Sequence, residues 1–291
     1  MRAIPFLLLL ALALGITAGC GGAKPVAAPT QTSSQSQSRL ADAEGRAAAL
    51  MRAADLEGAA RQYGEAARIA ASVENADAVA ANAINQSIVY QWMGRDADAR
   101  DVLSRVLDDP RRAFPERRRL QAELRRSIVE LALQNQVAAA TFAERAAQRC
   151  PNYSCEYGAH ILNVQARIAF EGAHVADAEQ LATRAAERAR SRNDRGEQAN
   201  ALRMVGKARR AQNNSKEAIP PLEQALAIDR DLADPRKILA DLTELSLASS
   251  AAGNRDAAKD YYERALTVSR ALQDTRGLAE MEAQLRQQPK N

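Results

Sequence analysis

Small apolar residues recur along this chain in helical groups, and the groups themselves recur. Ala59, Ala99, Ala139, Ala178, Ala218 and Ala258 stand 40, 40, 39, 40 and 40 residues apart. Seven positions further on come Ala66, Val106, Ala146, Ala185, Ala225 and Ala265; five positions before come Ala54, Gly94, Gln134, Ala173, Asn213 and Gly253. The first of these columns is small or apolar throughout, and the second is small or turn-compatible in five of six cases. A fixed period of this length predicts a helical solenoid, an all-α stack of hairpins. The segment from Ala54 to Ala67 reads as a turn followed by a helix with small residues every three to four positions, and Gly253 to Leu266 repeats it near the far end. Each hairpin has an apolar face it cannot bury alone, so stacking six of them makes one continuous core stabilised mainly by nearest neighbours. Small side chains at the repeated positions let paired helices approach closely, in place of a large aromatic core. A last stretch, Thr275 to Gln288, carries Leu278, Met281 and Leu285 at helical spacing and is expected to cap the stack.

The pattern changes at the amino end. Arg2, the apolar run Phe6 to Ile16 and the small residues Thr17-Ala18-Gly19-Cys20 read as an export signal with its cleavage site. The apolar run is too short to span a bilayer. Its last four residues resemble a bacterial lipobox, although Thr17 replaces the commoner Leu, and the resemblance implies that Cys20 becomes the lipid-bearing amino terminus. In lipoproteins of that type three acyl chains are attached, above the roughly two signals that lasting anchorage needs. Gly21 follows the cysteine where an aspartate would resemble an inner-membrane retention signal, so the expectation is the outer membrane, facing the periplasm. Gly21 to Ser38 is Gly, Pro, Ala, Gln, Thr and Ser with almost no large apolar side chain, a tether reaching about 25 Å as a flexible coil. The expected division is thus residues 1–19 signal peptide, 20–39 lipidated cysteine and linker, and 40–291 solenoid.

The helical segments resemble the tetratricopeptide repeat. Gly253, Ala258, Tyr262 and Ala265-Leu266 match that family's second helix, and Val205-Gly206 followed by Ala218, Leu222 and Ala225-Leu226 matches its first-helix Leu-Gly signature and second helix together. The resemblance covers about Ala41 to Ser269 and implies a right-handed superhelix of about six helical hairpins. Three departures stand out. The period is 40 rather than 34, read here as longer second helices. Pro220-Pro221 sits about one turn inside a second helix, where the missing N–H groups should bend or delay it. The third repeat has Gln134 at its turn and Glu130 where a packing residue is expected.

Composition narrows the function. A net charge of +4 is too mild for a nucleic-acid reader, which an exported chain would seldom need to be. No nucleophile-and-base set, phosphate loop or metal-ligand cluster is present, so no enzyme, cofactor or metal is expected. His160 and His174 read as surface or packing residues. Cys150 and Cys155 could be metal ligands only with partners the sequence does not offer; in an oxidising compartment a bridge closing a short loop between two repeats is the expectation, provided the sulfurs come within reach.

By register with the tetratricopeptide family, the inward positions of the first helices fall on Ile84, Ile88, Trp92, Leu124, Ile128 and Leu131, an apolar wall, and then on Asn163, Arg167, Phe170, Asn200, Arg203, Lys207 and Arg210, a basic and amide-rich wall. The resemblance implies a groove that binds other envelope proteins or peptides, with Trp92 burying side chains and the basic cluster holding carboxylates. The alternatives are that the aliphatic positions only pack and that the basic ones form a solvated face. A further basic stretch, Arg111 to Arg126, reads as locally paired, Arg119 with Glu123 and Arg126 with Glu130, or as a contact for anionic headgroups or an acidic partner. The functional expectation is a membrane-anchored interaction scaffold or assembly adaptor. The rival within the same fold is a structural part of a pilus, secretion-pore or polysaccharide-export apparatus whose basic face contacts an anionic polymer.

Overall fold

Helical hairpins form wherever the alanine register places them. The structure, a computed structural model, describes residues 35–110, 113–272 and 283. The export signal, Cys20, the tether up to residue 34, Arg111 and nearly all of the expected cap lie outside the described residues. Among the described residues there are 12 α-helices and no strand: α1 (Gln35–Arg52), α2 (Leu56–Ser72), α3 (Ala76–Trp92), α4 (Asp96–Leu107), α5 (Glu116–Ala132), α6 (Gln136–Gln148), α7 (Gly158–Glu171), α8 (Val175–Ser191), α9 (Arg195–Ala211), α10 (Ser215–Asp231), α11 (Pro235–Ala251) and α12 (Arg255–Leu272). They pair in sequence into six antiparallel hairpins. The first helices of successive hairpins lie side by side, α3 with α5, α5 with α7, α7 with α9 and α9 with α11, forming an inner wall backed by the second helices. None of the described helices is long and apolar enough to cross a membrane.

All six period-marking alanines sit on second helices and are buried, five of them completely, as are Ala66, Val106, Ala146, Ala185, Ala225 and Ala265. The close approach they permit is sharpest at Gly206 on α9, where an added Cβ would lie 2.4 Å from Leu222 Cγ on α10. Larger side chains fill what remains, such as Leu222, Leu226, Leu239, Leu242 and Leu245 between the fifth and sixth hairpins.

One turn design explains the period. Ala54, Gly94, Gln134, Ala173, Asn213 and Gly253 all have left-handed backbone, φ between 60° and 83°, and Glu74, Asn193 and Ala233 do the same between hairpins. The residue after each sends its N–H back to the carbonyl five residues earlier, as in Asp55 to Leu50 and Asn135 to Glu130, which closes the preceding helix. That same residue then starts the next helix. Asp55, Asn75, Asn135, Asp194 and Asp234 each accept a backbone N–H with the side chain, an N-cap. Three-residue turns between 17-residue helices give a 40-residue unit, as from α9 to α11.

The extra length of the repeat is therefore not confined to the second helices. First helices α3, α5, α9 and α11 are 17 residues long, while second helices α4 and α6 have only 12 and 13, their shortfall taken up by the longer connections before α5 and α7. The folded part also begins earlier than Leu40: α1 starts at Gln35, because polar residues can extend a helix whose buried face, starting at Leu40, is fixed further along. Pro220 and Pro221 do not interrupt α10. The Glu217 carbonyl, deprived of its helical donor by Pro221, accepts from Arg209 Nη1 at 3.1 Å instead. In the third hairpin Glu130 is buried but held by Arg126 Nε at 2.6 Å and Asn135 Nδ2 at 3.2 Å. Glu123 does not pair with Arg119; Arg149, at the end of α6, takes both of its oxygens at 2.8 and 3.1 Å. Cys150 and Cys155 are bonded to one another, S–S 2.07 Å, in the connection between α6 and α7.

Candidate functional site

The inner wall holds a cavity of about 490 Å³ spanning four first helices. Helix α5 contributes Leu124, Arg125 and Ile128; α7 contributes His160, Asn163, Val164, Arg167 and Glu171; α9 contributes Glu197, Asn200, Arg203, Met204 and Lys207; α11 contributes Lys237. Residues three, four and seven apart share a helix face, so the wall is built from one stripe per helix.

Seven positions assigned inward by register line this cavity: Leu124, Ile128, Asn163, Arg167, Asn200, Arg203 and Lys207. The others stand elsewhere. Ile84 packs against the core formed by Val79, Ala83, Leu103 and Val129, and Leu131 is buried, so both are packing residues. Ile88 is half-buried outside the cavity. Phe170 lies beneath Lys207, with Nζ 5.2 Å from the ring centroid. Arg210 does not line the cavity and is bonded to Glu244 of α11. Trp92 is 42% exposed at the end of α3, and Arg236 Cζ lies 4.6 Å from its ring centroid, stacked on it from α11.

The cations differ sharply in what they already hold. Arg203 is committed: Nη2 bonds Asp229, Nε bonds Asp241 at 2.5 Å and Nη1 bonds Asn200 Oδ1 at 3.2 Å. Both aspartates are fully buried, and burial, partly offset by the Arg203 guanidinium, raises both carboxyls, that of Asp241 to about 7. Lys207 and Arg210 share Glu244, at 3.7 and 3.0 Å. The amides serve Glu197, whose carboxylate accepts from Asn163 Nδ2 at 2.7 Å and Asn200 Nδ2 at 2.8 Å while His160 Nε2 stands 3.6 Å away. The expected cluster of carboxylate-holding groups is thus largely satisfied from within the chain.

Three other cations are not. Among the described residues Arg125 donates only to Gln91 and its shielded Nε has no hydrogen-bond partner, and burial together with the neighbouring Arg167 charge lowers it to about 10. Among the described residues, the side chains of Arg167 and Lys237 have neither a hydrogen bond nor a carboxylate within ion-pair distance. Asn163 Oδ1 and His160 Nδ1 are also shielded and unbonded. Buried polar groups are normally satisfied, so these atoms are open to water or to a bound group, His160 Nδ1 having Asp194 Oδ2 3.8 Å away. Arg167 and Lys207, 40 residues apart, share one column of the repeat, but Arg125 stands 42 before Arg167 where the register between those repeats is 39, so no column marks it. Lys237 and Arg236 carried no such mark. The remaining basic stretch is mostly occupied, Arg118 holding Asp77 through Nε and Nη2 at 2.9 and 2.8 Å, and Arg126 holding Glu130. No group of three His, Cys, Asp or Glu side chains suited to a metal occurs among the described residues.

No family model and no curated protein matches this chain. Solved structures do. A Rap protein complexed with Competence and Sporulation Factor superposes with a TM-score of 0.64 at 14% identity, over 84% of this chain and 80% of that one. A signal-transduction ATPase with a tetratricopeptide repeat sensor, from Pyrococcus horikoshii, gives 0.61 at 15% identity, over 86% of this chain and 37% of that one. PilW, a type IV pilus biogenesis factor, gives 0.52 at 11% identity, over 83% and 97%. At such identities the likeness is one of fold.

Proposed function

We propose that this chain, a solenoid of tetratricopeptide type, works by binding: it is an interaction scaffold that captures a segment of a partner protein along its inner wall. The observation that carries this reading is the cavity lined by Arg125, Arg167 and Lys237, cations with no carboxylate within ion-pair distance among the described residues, with the half-exposed Trp92 at the end of the neighbouring first helix α3. A chain segment offering an acidic group and an apolar side chain would satisfy both features. The repeat-protein neighbours named above, one solved with a bound factor and one a pilus biogenesis factor, support a role in binding or assembly. On this reading Cys20 carries lipid and holds the scaffold at the outer membrane facing the periplasm, where tethering raises its local concentration near envelope partners. The lipobox-like residues Thr17 to Cys20 support that placement. Replacing Cys20 by Ser would then abolish lipid labelling and release the chain from the membrane fraction.

The test is crosslinking in the native envelope followed by identification of attached proteins, repeated with Arg167→Glu and, separately, Trp92→Ala. Loss of the same partner from both supports capture of a protein segment. Binding of an anionic polymer that Arg167→Glu abolishes and Trp92→Ala spares would favour the export-apparatus reading, for which the surplus of cavity cations is the supporting observation. Turnover by a clean preparation that vanished on changing one polar residue would overturn the non-catalytic reading.

A further inference from the structure

We infer that Arg236 is an internal occupant of the groove, covering Trp92 until an acidic segment draws it away. This deepens the proposed function and rests on the groove being a docking surface for a partner segment.

Trp92 ends the first helix of the second hairpin and Arg236 lies in the first turn of the first helix of the sixth, 144 residues later. Helix α11 packs chiefly on α9, α10 and α12, so the stacked pair bridges hairpins that are not neighbours in the solenoid. One face of the aromatic surface best suited to receive a partner's side chain is therefore covered by the chain itself, while Trp92 as a whole stays half-exposed. Arg236 has no carboxylate partner among the described residues; the indole ring is what it holds. Its neighbour Lys237 lines the cavity that Arg125 and Arg167 share.

The arrangement couples the two halves of the groove. Arg236 is half-buried and its contact with the ring carries no directional hydrogen bond, whereas a charge-assisted hydrogen bond to a carboxylate is stronger. Carboxylates entering beside Arg125, Arg167 and Lys237 bring anions within reach of Arg236. As Arg236 turns from the ring to those anions, Trp92 is uncovered for an apolar side chain of the same segment. A purely apolar segment has no means of removing Arg236, so the device selects ligands that carry both chemistries.

Trp92 is the chain's only tryptophan, so its fluorescence reports the contact directly. Acrylamide quenching of the full chain is expected to rise about twofold in both Arg236→Ala and Arg236→Gln, with far-ultraviolet circular dichroism unchanged. Hexaglutamate should raise quenching of the unmodified chain towards that level and leave the two variants where they are. Quenching identical in the unmodified chain and both variants would overturn the inference, since the ring would then not be covered in solution. So would hexaglutamate that binds calorimetrically without changing Trp92 quenching. Absence of any binding heat would instead strike the acidic-groove reading itself, and this inference with it.

Discussion

Gly206→Ala gives the packing logic its most direct test, because two well-understood effects oppose each other there. In the interior of a helix such as α9, replacing Gly by Ala ordinarily stabilises by about 1 kcal/mol. Here the new methyl would lie 2.4 and 2.6 Å from Leu222 Cγ and Cδ2 and 3.0 Å from Cδ1. Leu222 is fully buried among Leu226, Leu239, Leu242 and Leu245, so it has nowhere to go without displacing the next hairpin. Overpacking of this kind costs about 1–3 kcal/mol, and three close contacts with a locked side chain put it at the upper end. The expected net effect is a loss of about 2 kcal/mol, a fall in Tm of about 4–8 °C for a domain of this size.

The second arm of the experiment removes the obstacle. Leu222→Ala alone should cost about 2–5 kcal/mol through the cavity it leaves. In that background Gly206→Ala should revert to its helical value and stabilise by about 1 kcal/mol, a coupling of about 3 kcal/mol between the two sites. Urea unfolding followed by circular dichroism gives the energies, and hydrogen exchange in α9 and α10 locates them, since a solenoid can open hairpin by hairpin. Stabilisation by Gly206→Ala in the unmodified chain would refute the reasoning: α9 and α10 would not then approach closely enough for glycine to be required.

Further outcomes follow from other parts of the structure. Ala173, at φ 61°, bears a left-handed cost of about 1–2 kcal/mol that glycine avoids, so Ala173→Gly should stabilise by about 0.5–1 kcal/mol in urea after glycine's larger unfolded entropy is deducted. Asp241, raised to about 7 by burial, holds a proton in the folded state that the unfolded chain has released above about pH 4; stability should therefore fall as pH rises from about 4 to 7, by up to about 1.4 kcal/mol per unit, and the slope should flatten in Asp241→Asn. Below that window the opposite sign applies to Asp77 and Glu179, whose carboxyls are lowered first by hydrogen bonds from Arg118 and Arg209, so acid should destabilise as they protonate. Reducing the Cys150–Cys155 bond, which closes a very short loop, should cost about 2 kcal/mol, read as a shift in the urea midpoint against a Cys150→Ala, Cys155→Ala control.

The legible features were those written locally or once per period. The alanine columns gave six hairpins because a helix face repeats within seven residues. The column five positions before them fell on left-handed turn residues because one turn type serves every hairpin. Even Gln134, the member that looked least suited, adopts it, since the hydrogen bonds around the turn impose the conformation whatever the side chain. What escaped was chemistry shared between hairpins. Arg203 meets acids 26 and 38 residues ahead, Arg210 one 34 ahead, Arg118 one 41 behind and Arg149 one 26 behind. A helix-local search for partners four residues away finds Arg126 with Glu130 and assigns Glu123 to Arg119, when Arg149 holds it. In a solenoid a charged residue's partner most often lies about one repeat away, on the adjoining first or second helix.

That displacement decides which substitutions can test the groove at all. Arg203 looks like the centre of a basic binding face, yet its guanidinium bonds two buried aspartates, balancing the one charge they share while Asp241 keeps its proton, and lends its remaining edge to Asn200. Reversing its charge would gather three acidic groups in a buried site, and removing one partner of a buried pair typically costs about 3–5 kcal/mol. Lost binding in Arg203→Glu would therefore report a distorted α9–α11 contact, whatever the groove normally holds. Arg167 has no internal partner among the described residues and already strains against Arg125, so Arg167→Gln should leave stability unchanged or slightly raised. A partner whose affinity falls in Arg167→Gln without any loss of stability is being held by the groove, and a variant that keeps full affinity would show that the free guanidinium plays no part in capture.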